Sequence, residues 1–328
     1  MGQRMKAIVR ERYGNAQLRE IDKPEPADDE VLVRVHAASL NRFDWYRLTG
    51  TPWLARLPNE LRRPKSHKLG SDFAGTVEAV GKNVTQFRPG DEVFGGTAGS
   101  LAEYLAVPED GQIAPKPAGA SFEEAAALPV AGVTALQGLR DKGEVQPGQK
   151  VLVNGASGGV GTFAVQIAKA LGAEVTAVCS TRNVEQARTL GADRVIDYTR
   201  EDFTRSGERY DMLLDNAGSR PWSACKRVLK ADATVVLVGG PKKNRLLGPL
   251  GHIIGMRLRS RRAGHKTAFF MADLSRANLV ALGELLEAGQ LKPVIERRYE
   301  LSETADALRY MGEGHAQGKV VVTPYSQR

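Results

Sequence analysis

The stretch NGASGGVG, residues 154–161, has the composition of a turn that holds phosphates. It follows an apolar run, VLV, and precedes TFAVQIAKALG, whose apolar spacing is helical. A dinucleotide site asks three things of such a turn: small residues for a tight bend, a glycine where backbone approaches pyrophosphate, and another where helix meets strand. Gly158, Gly159 and Gly161 supply the last two, with Ser157 and Val160 completing the loop. Ala156 stands where the first glycine of GxGxxG is expected, and its methyl group is tolerated if that residue keeps a negative φ. A helix beginning near Gly159 would aim free N–H groups and its positive end at the pyrophosphate, about 0.3–1 kcal/mol from the dipole alone.

The second chemically informative point is the end of the next strand-like run, VTAVCSTRN. Sites that prefer NAD place an acidic residue there, about 20 residues past the loop, to bind the ribose 2′-hydroxyl. Here the positions hold Cys179, Ser180, Thr181 and Arg182. Two hydroxyls replace the acid, and the Arg182 guanidinium can make a forked contact with a 2′-phosphate. NADP(H) is therefore the expected cofactor. Tyr198, closing the third strand, can lie against the adenosine phosphate or cap a hydrophobic edge.

These residues need a scaffold of strands and helices. From Lys150 on, strand-like segments (KVLVNGA, AEVTAVCS, DRVIDY, YDMLLDNAG, ATVVLVGGP) alternate with helix-like or loop segments, the last strand being followed by a basic loop. In the helix after the glycine turn, Ala164, Ile167, Ala168 and Leu171 follow i, i+3, i+4, i+7 spacing and form one apolar stripe. Repeated β-α units predict a doubly wound parallel sheet, with KTAFFMA as a further, edge strand. The first hundred residues read instead as short strands punctuated by Gly and Pro (MKAIVRE, EVLVRVHAASLN, GTVEAVG, RPGDEVFGG, LAEYLAV), a compact β-rich domain. SFEEAAALPVAGVTALQGLRD then predicts two short helices, and the domain boundary falls near residues 118–124.

With 328 residues the chain can bury two substantial cores. An apolar content of 42% with 26% charged residues is that of a soluble globular protein. No run of about 18 apolar residues predicts a membrane span, and MGQRMKAIVRERYG turns polar too early for a signal peptide, so a cytoplasmic location is expected. The two cysteines, Cys179 and Cys225, make neither a disulfide framework nor a cysteine-rich zinc site. The net charge of +8 gathers in residues 56–68, 241–245 and 256–266. These clusters hold few aromatics and match no nucleic-acid-binding motif, so nucleic acid is not an expected partner.

Taken together, LGSDFAGTVEAVG, RPGDEVFG, GSLAEYLAV, AAALPVAGVTALQGL, VLVNGASGGVGTFAVQIAKALGAEV, LGADRVIDY and GHAQGKVVV resemble, in order and spacing, the medium-chain dehydrogenase/reductase superfamily. Within it the chain is similar to the zinc-free quinone oxidoreductases, including the reticulon-4-interacting-protein-like branch. The resemblance implies a GroES-like β-barrel domain (residues 1–122), a Rossmann doubly wound parallel-sheet domain (residues 123–274) and a C-terminal segment (residues 275–328) that completes the barrel domain. The active site would lie between them, and the protein would be a homodimer. Asn41 in NRFD and Ser71 in LGSD stand where zinc-dependent members carry a cysteine and a histidine. Without that Lewis acid, hydride transfer from NADPH to a quinone, or to an enone or enal, fits better than alcohol oxidation.

The same resemblance assigns individual positions. Thr134 would lie beside the nicotinamide, Asn216 at the cofactor ribose, and Val238, Gly239 and Gly240 against the carboxamide. Lys319 in GKVVV would reach the cofactor phosphates. Asn41, Asp44 and Tyr46 would line the nicotinamide end of the cleft. Relatives that reduce enoyl thioesters place a tyrosine shortly after this motif, whereas here Thr51, Pro52 and Trp53 occupy the region. Residues 56–68 are expected to overhang the cleft. A non-catalytic NADPH-binding role is the expectation of a different class.

Overall fold

The computed structural model describes residues 3–51, 67–240 and 250–325. The basic residues 56–66 and 241–245, and with them most of the segment expected to overhang the cleft, lie outside the described residues. The chain opens with β1 (Arg4–Arg12), β2 (Asn15–Asp22), β3 (Glu30–Leu40), α1 (Arg42–Thr49), β4 (Asp72–Val80), β5 (Glu92–Gly96), β6 (Tyr104–Pro108) and β7 (Ile113–Pro115). Helices α2 (Phe122–Ala127) and α3 (Pro129–Leu136) lead into β8 (Lys150–Asn154), α4 (Gly159–Ala170), β9 (Glu174–Cys179), α5 (Val184–Thr189) and β10 (Arg194–Asp197). There follow β11 (Tyr210–Asp215), α6 (Trp222–Cys225), β12 (Leu229–Leu237), α7 (Leu250–Arg262) and β13 (Lys266–Phe269). The chain closes with α8 (Arg276–Glu287), β14 (Ile295–Glu300), α9 (Thr304–Glu313) and β15 (Lys319–Thr323).

Strands β8 to β13 form one six-stranded sheet in the order β10-β9-β8-β11-β12-β13, and every pairing in it is parallel. Parallel sheets are covered on both faces, which is why VLV in β8 and VVL in β12 are continuous apolar runs with no polar alternation. The first strand, β8, lies between β9 and β11, so the chain leaves in opposite directions on either side of it. A cofactor crevice opens at such a switch point. Helix α4 is buried along Phe163, Ala164, Val165, Ile167 and Ala168, more than the single stripe expected from its spacing. Besides β8 and β9, α3 packs on α4 and adds to its burial.

The first part of the chain forms a seven-stranded, largely antiparallel sheet, β14-β15-β3-β4-β5-β7 with β6 on β3. The C-terminal strand β15 returns to pair with β3, Val321 against Ser39, carrying β14 on its other edge. Helix α2 begins with a capping box: Glu124 N donates to Ser121 Oγ, and Ser121 N donates to the Glu124 carboxylate. It packs on β3 and β4, so although nearly all of it lies beyond residue 122 it rests against the barrel sheet.

One expectation is corrected here. The basic stretch from Met256 on, read as a loop, continues helix α7 as far as Arg262. Ile253, Met256 and Ser260 are buried at i, i+3, i+7 and pack the helix on its sheet neighbours, while Arg and Leu are strong helix formers. Four arginines in seven residues hid that stripe.

Candidate active site

The loops after β8, β11 and β12 leave one sheet edge side by side, because Asn154 pairs with Asp215 and Asp215 with Leu237. In the first of them the tight bend is made by Gly155, at φ +84, and not by Ala156, which stays out of the left-handed region. That resolves the missing glycine: the bend is one residue earlier, and Ala156 packs its methyl into the core. The N–H groups of Gly155 and Ala156 both donate to Val178 O, pinning the bend to β9. Gly161 is the helix–strand contact, since a Cβ there would lie 2.2 Å from Gly155 O and 2.7 Å from Ala156 Cα. Gly158 faces open space, with nothing within 4 Å of where its Cβ would be. It caps α4, whose first turn leaves N–H groups without intrahelical partners beside that space.

A cavity of about 670 Å³ runs from this loop to α1. Thr134, Gly158, Gly159, Val160, Gly161, Asn216, Val238, Gly239, Gly240, Lys319, Asn41 and Tyr46 all line it, so most of the residues singled out from sequence meet in one place. Asn216 presents an amide whose Oδ1 and Nδ2 are both buried without a partner. Thr134 Oγ1 donates to Val130 O at 2.6 Å, which spends its proton and leaves lone pairs as acceptors. The Val238 and Gly239 N–H groups both donate to Asp215 O. With those two N–H groups spent, it is other backbone groups of Val238, Gly239 and Gly240 that line the cavity. Gly239 is held so close to Asn216 that a Cβ would lie 2.0 Å from Asn216 O.

Two assignments are corrected. Lys319 does not extend its ammonium toward the phosphate loop. Its stem passes Gly159, and its Nζ ends in a buried cluster, 2.8 Å from Asn41 Oδ1 and 3.1 Å from Asp72 Oδ2. The cause is Asp72, a fully buried carboxylate that also accepts from Asn41 Nδ2, Ser39 Oγ and Val130 N. Asp72 is a site residue that sequence reasoning missed, although it follows Ser71 directly in LGSD. Asp44, the second correction, lies behind the wall, fully buried, accepting from Asn41 N at 2.7 Å and Ser71 Oγ at 2.7 Å. It fixes the start of α1, and so the position of Asn41 and Tyr46, without lining the cavity.

Burial above all, with the Asp72 charge adding to it, pushes the Asp44 carboxyl up to about 6, against the opposing pull of Asn41 N–H, the Ser71 hydroxyl and Lys319. The folded chain therefore binds this proton more tightly than the unfolded chain. Ionisation of Asp44 is a folded-state penalty, absent below about pH 4 and complete above about pH 6, worth about 3 kcal/mol in all. Asp44→Asn, which keeps an acceptor for Asn41 and a donor for Ser71, should flatten the fall in stability across that window. Urea melts at several pH values check this, and equal slopes for the two proteins would contradict it.

At the other end of the cleft, Ser180, Thr181 and Arg182 follow β9, and Arg182 is exposed, its Nη2 donating to His315 O at 3.0 Å. Tyr198 is 55% exposed beside them and tethered through its N–H to Cys179 O. The sequence reading found no acid here, but the fold brings one from the neighbouring strand. Asp197 pairs in register with Cys179 and accepts from Thr181 Oγ1 at 2.5 Å and from Thr199 Oγ1 at 2.7 Å. The Thr181 hydroxyl leads the causes that hold the Asp197 carboxyl below the usual range, and Arg200 stands 3.7 Å away.

The residues fit a nicotinamide dinucleotide. An open glycine at a helix N-terminus, a buried amide without partners and a backbone cradle across the switch point are the features such a cofactor needs. Among the described residues no three His, Cys, Asp or Glu side chains gather to hold a metal ion. At the position of interest Asn41 is tied to Asp72 and to the Lys319 ammonium, a cation that opposes a second one.

Fold and cradle together define a two-domain, nicotinamide-dependent oxidoreductase. Residues 27–118 match the model of the alcohol dehydrogenase GroES-like domain, and residues 190–322 match that of the zinc-binding dehydrogenases. The chain is 37% identical to the mitochondrial NAD(P)H oxidoreductase RTN4IP1 of Mus musculus, over 90% of this chain and 81% of that protein. It is 33% identical to the chloroplastic NADPH-dependent alkenal/one oxidoreductase of Arabidopsis thaliana, over 98% of this chain and 80% of that protein. Among solved structures it is similar to the quinone oxidoreductase from Coxiella burnetii, with a TM-score of 0.84, 30% identity, and 98% and 100% of the two chains covered. The chain belongs to the medium-chain dehydrogenase/reductase superfamily, in its zinc-free quinone oxidoreductase branch. Among the described residues no helix is long and apolar enough to cross a membrane.

Proposed function

We propose that this protein is an NADPH-dependent, zinc-independent reductase that transfers hydride to a quinone. The observation that carries the reading is the buried Asn41–Asp72–Lys319 cluster, which occupies the wall where alcohol oxidation would need a Lewis acid. Bound NADPH would supply the hydride, and the overall exchange converts NADPH, quinone and one proton into NADP⁺ and hydroquinone. The chain's own residues hold and orient. The first turn of α4, with Gly158 and Gly159, would take the pyrophosphate, Asn216 the ribose, and Thr134 the nicotinamide side. Val238, Gly239 and Gly240 would offer backbone groups to the carboxamide. Asn41 and Tyr46 border the acceptor end, and quinol oxygens can be protonated from solvent without a dedicated acid.

The NADPH preference rests on Arg182, with Ser180, Thr181 and Tyr198 around the 2′-phosphate and with Asp197 engaged by two hydroxyls. A charged hydrogen bond contributes about 1.5–3 kcal/mol, so Arg182→Ala should raise the KM for NADPH by about 10- to 150-fold and leave that for NADH nearly unchanged. Equal changes in both would remove the assignment. The relationship to the Arabidopsis alkenal/one oxidoreductase favours a second reading, a reductase of conjugated carbonyls. Steady-state turnover of a benzoquinone and of an alkenal with NADPH separates the two, and the quinone is expected to give the larger kcat/KM. A homodimer in the cytoplasm belongs to the same proposal, with sedimentation of the purified chain as its check.

A further inference from the structure

Helix α7 has two unlike faces. Ile253, Met256 and Ser260 are buried, whereas Ile254 and Leu258, one turn apart, are 57% and 55% exposed. At three, seven and eight residues beyond Ile254 stand Arg257, Arg261 and Arg262, all exposed, so the three arginines share the outward face with the two apolar side chains. The helix, LGHIIGMRLRSRR, contains no acid, and among the described residues no carboxylate makes an ion pair with its arginines. The opposite, buried face of the helix reaches the cavity: Ile253 lines it, as does Met271, which is 76% exposed.

We propose that this face docks on an anionic lipid bilayer, with Ile254 and Leu258 entering the headgroup region and Arg257, Arg261 and Arg262 against lipid phosphates. A helix lying in the interface buries a few apolar side chains while its arginines reach back to the charged surface. Charge selects this occupant over the others. A second copy seated symmetrically would set arginine against arginine. Nucleic acid would gain nothing from two exposed aliphatic side chains, and the face has no aromatic ring for base stacking.

The test is co-sedimentation of the full chain with vesicles of phosphatidylcholine, with and without phosphatidylglycerol. Binding is expected only with the anionic lipid, and it should fall as salt is raised. Replacing Arg257, Arg261 and Arg262 by Gln should weaken it by about fivefold per residue, and Ile254→Ser with Leu258→Ser by roughly tenfold each. Turnover of a water-soluble benzoquinone and the thermal melt should stay at wild-type values in both variants, which separates failed docking from a failed enzyme assignment. Equal binding to both vesicles, no binding to either, or unaltered affinity in the variants would overturn the proposal. So would variants that dissociate a dimer, or that lose a tighter affinity for DNA.

Discussion

Lys319→Met should lower the free energy of unfolding by about 3–5 kcal/mol, the usual cost of leaving a buried charge without its partner. Both members of the pair are shielded from solvent, Lys319 at 1% and Asp72 at 0% exposure, and they meet at 3.1 Å. Methionine nearly preserves the stem that runs beside Gly159, so what is lost is the ammonium and not the packing. The Asp72 carboxylate would keep Ser39, Asn41 and Val130 as donors but face no cation. Asn41 would lose the bond that fixes its Oδ1, so the wall of the cavity should loosen as well. Adding Asp72→Asn removes the stranded charge and should recover part of the loss. Urea denaturation of the two single variants and the double variant reads this directly. A loss below about 1 kcal/mol for Lys319→Met would show that the neutral donors alone hold Asp72.

The second large effect is expected at the glycine loop. In Gly161→Ala the new methyl lies 2.2 Å from Gly155 O and 2.7 Å from Ala156 Cα, and these are backbone atoms that move only if the bend opens. Overpacking of this kind costs about 1–3 kcal/mol of stability. Because the displaced atoms form the phosphate cradle, NADPH affinity should fall by about 100-fold, which corresponds to about 2.7 kcal/mol. Gly158→Ala gives the contrasting case. Its φ of −81 suits alanine, and nothing lies within 4 Å of the added methyl, so the protein itself should keep its stability. Pyrophosphate must approach that same space, so NADPH binding should still weaken. Thermal melts with and without NADPH distinguish the two variants. Normal NADPH affinity in Gly158→Ala would place the phosphates elsewhere.

Much of this was legible in the sequence because periodicity and glycine placement are local signals. The parallel sheet could be read from VLV, VTAVC and VVLV, and the cradle from Gly158, Gly159 and Gly161 between a strand and a helix. What the sequence did not reveal depends on residues far apart in the chain. Nothing local in GKVVV or LGSDF says that Lys319 and Asp72, 247 positions apart, will form a buried pair. Asp197 escaped notice for the same reason: it belongs to the third strand but acts at the end of the second. Asp44 looked like a polar residue of a cleft, and only the fold shows it capping α1 from behind. Helix α7 was hidden by its own charge, since its buried stripe is only Ile253, Met256 and Ser260.

The most direct measurement mixes the protein, loaded with NADPH and treated with a metal chelator, with a benzoquinone in the absence of oxygen. The account predicts that NADPH is oxidised mole for mole as hydroquinone forms, at the same rate with or without the chelator. Bound NADPH that stays reduced with the quinone, or oxidation that stops when the chelator is added, would contradict it.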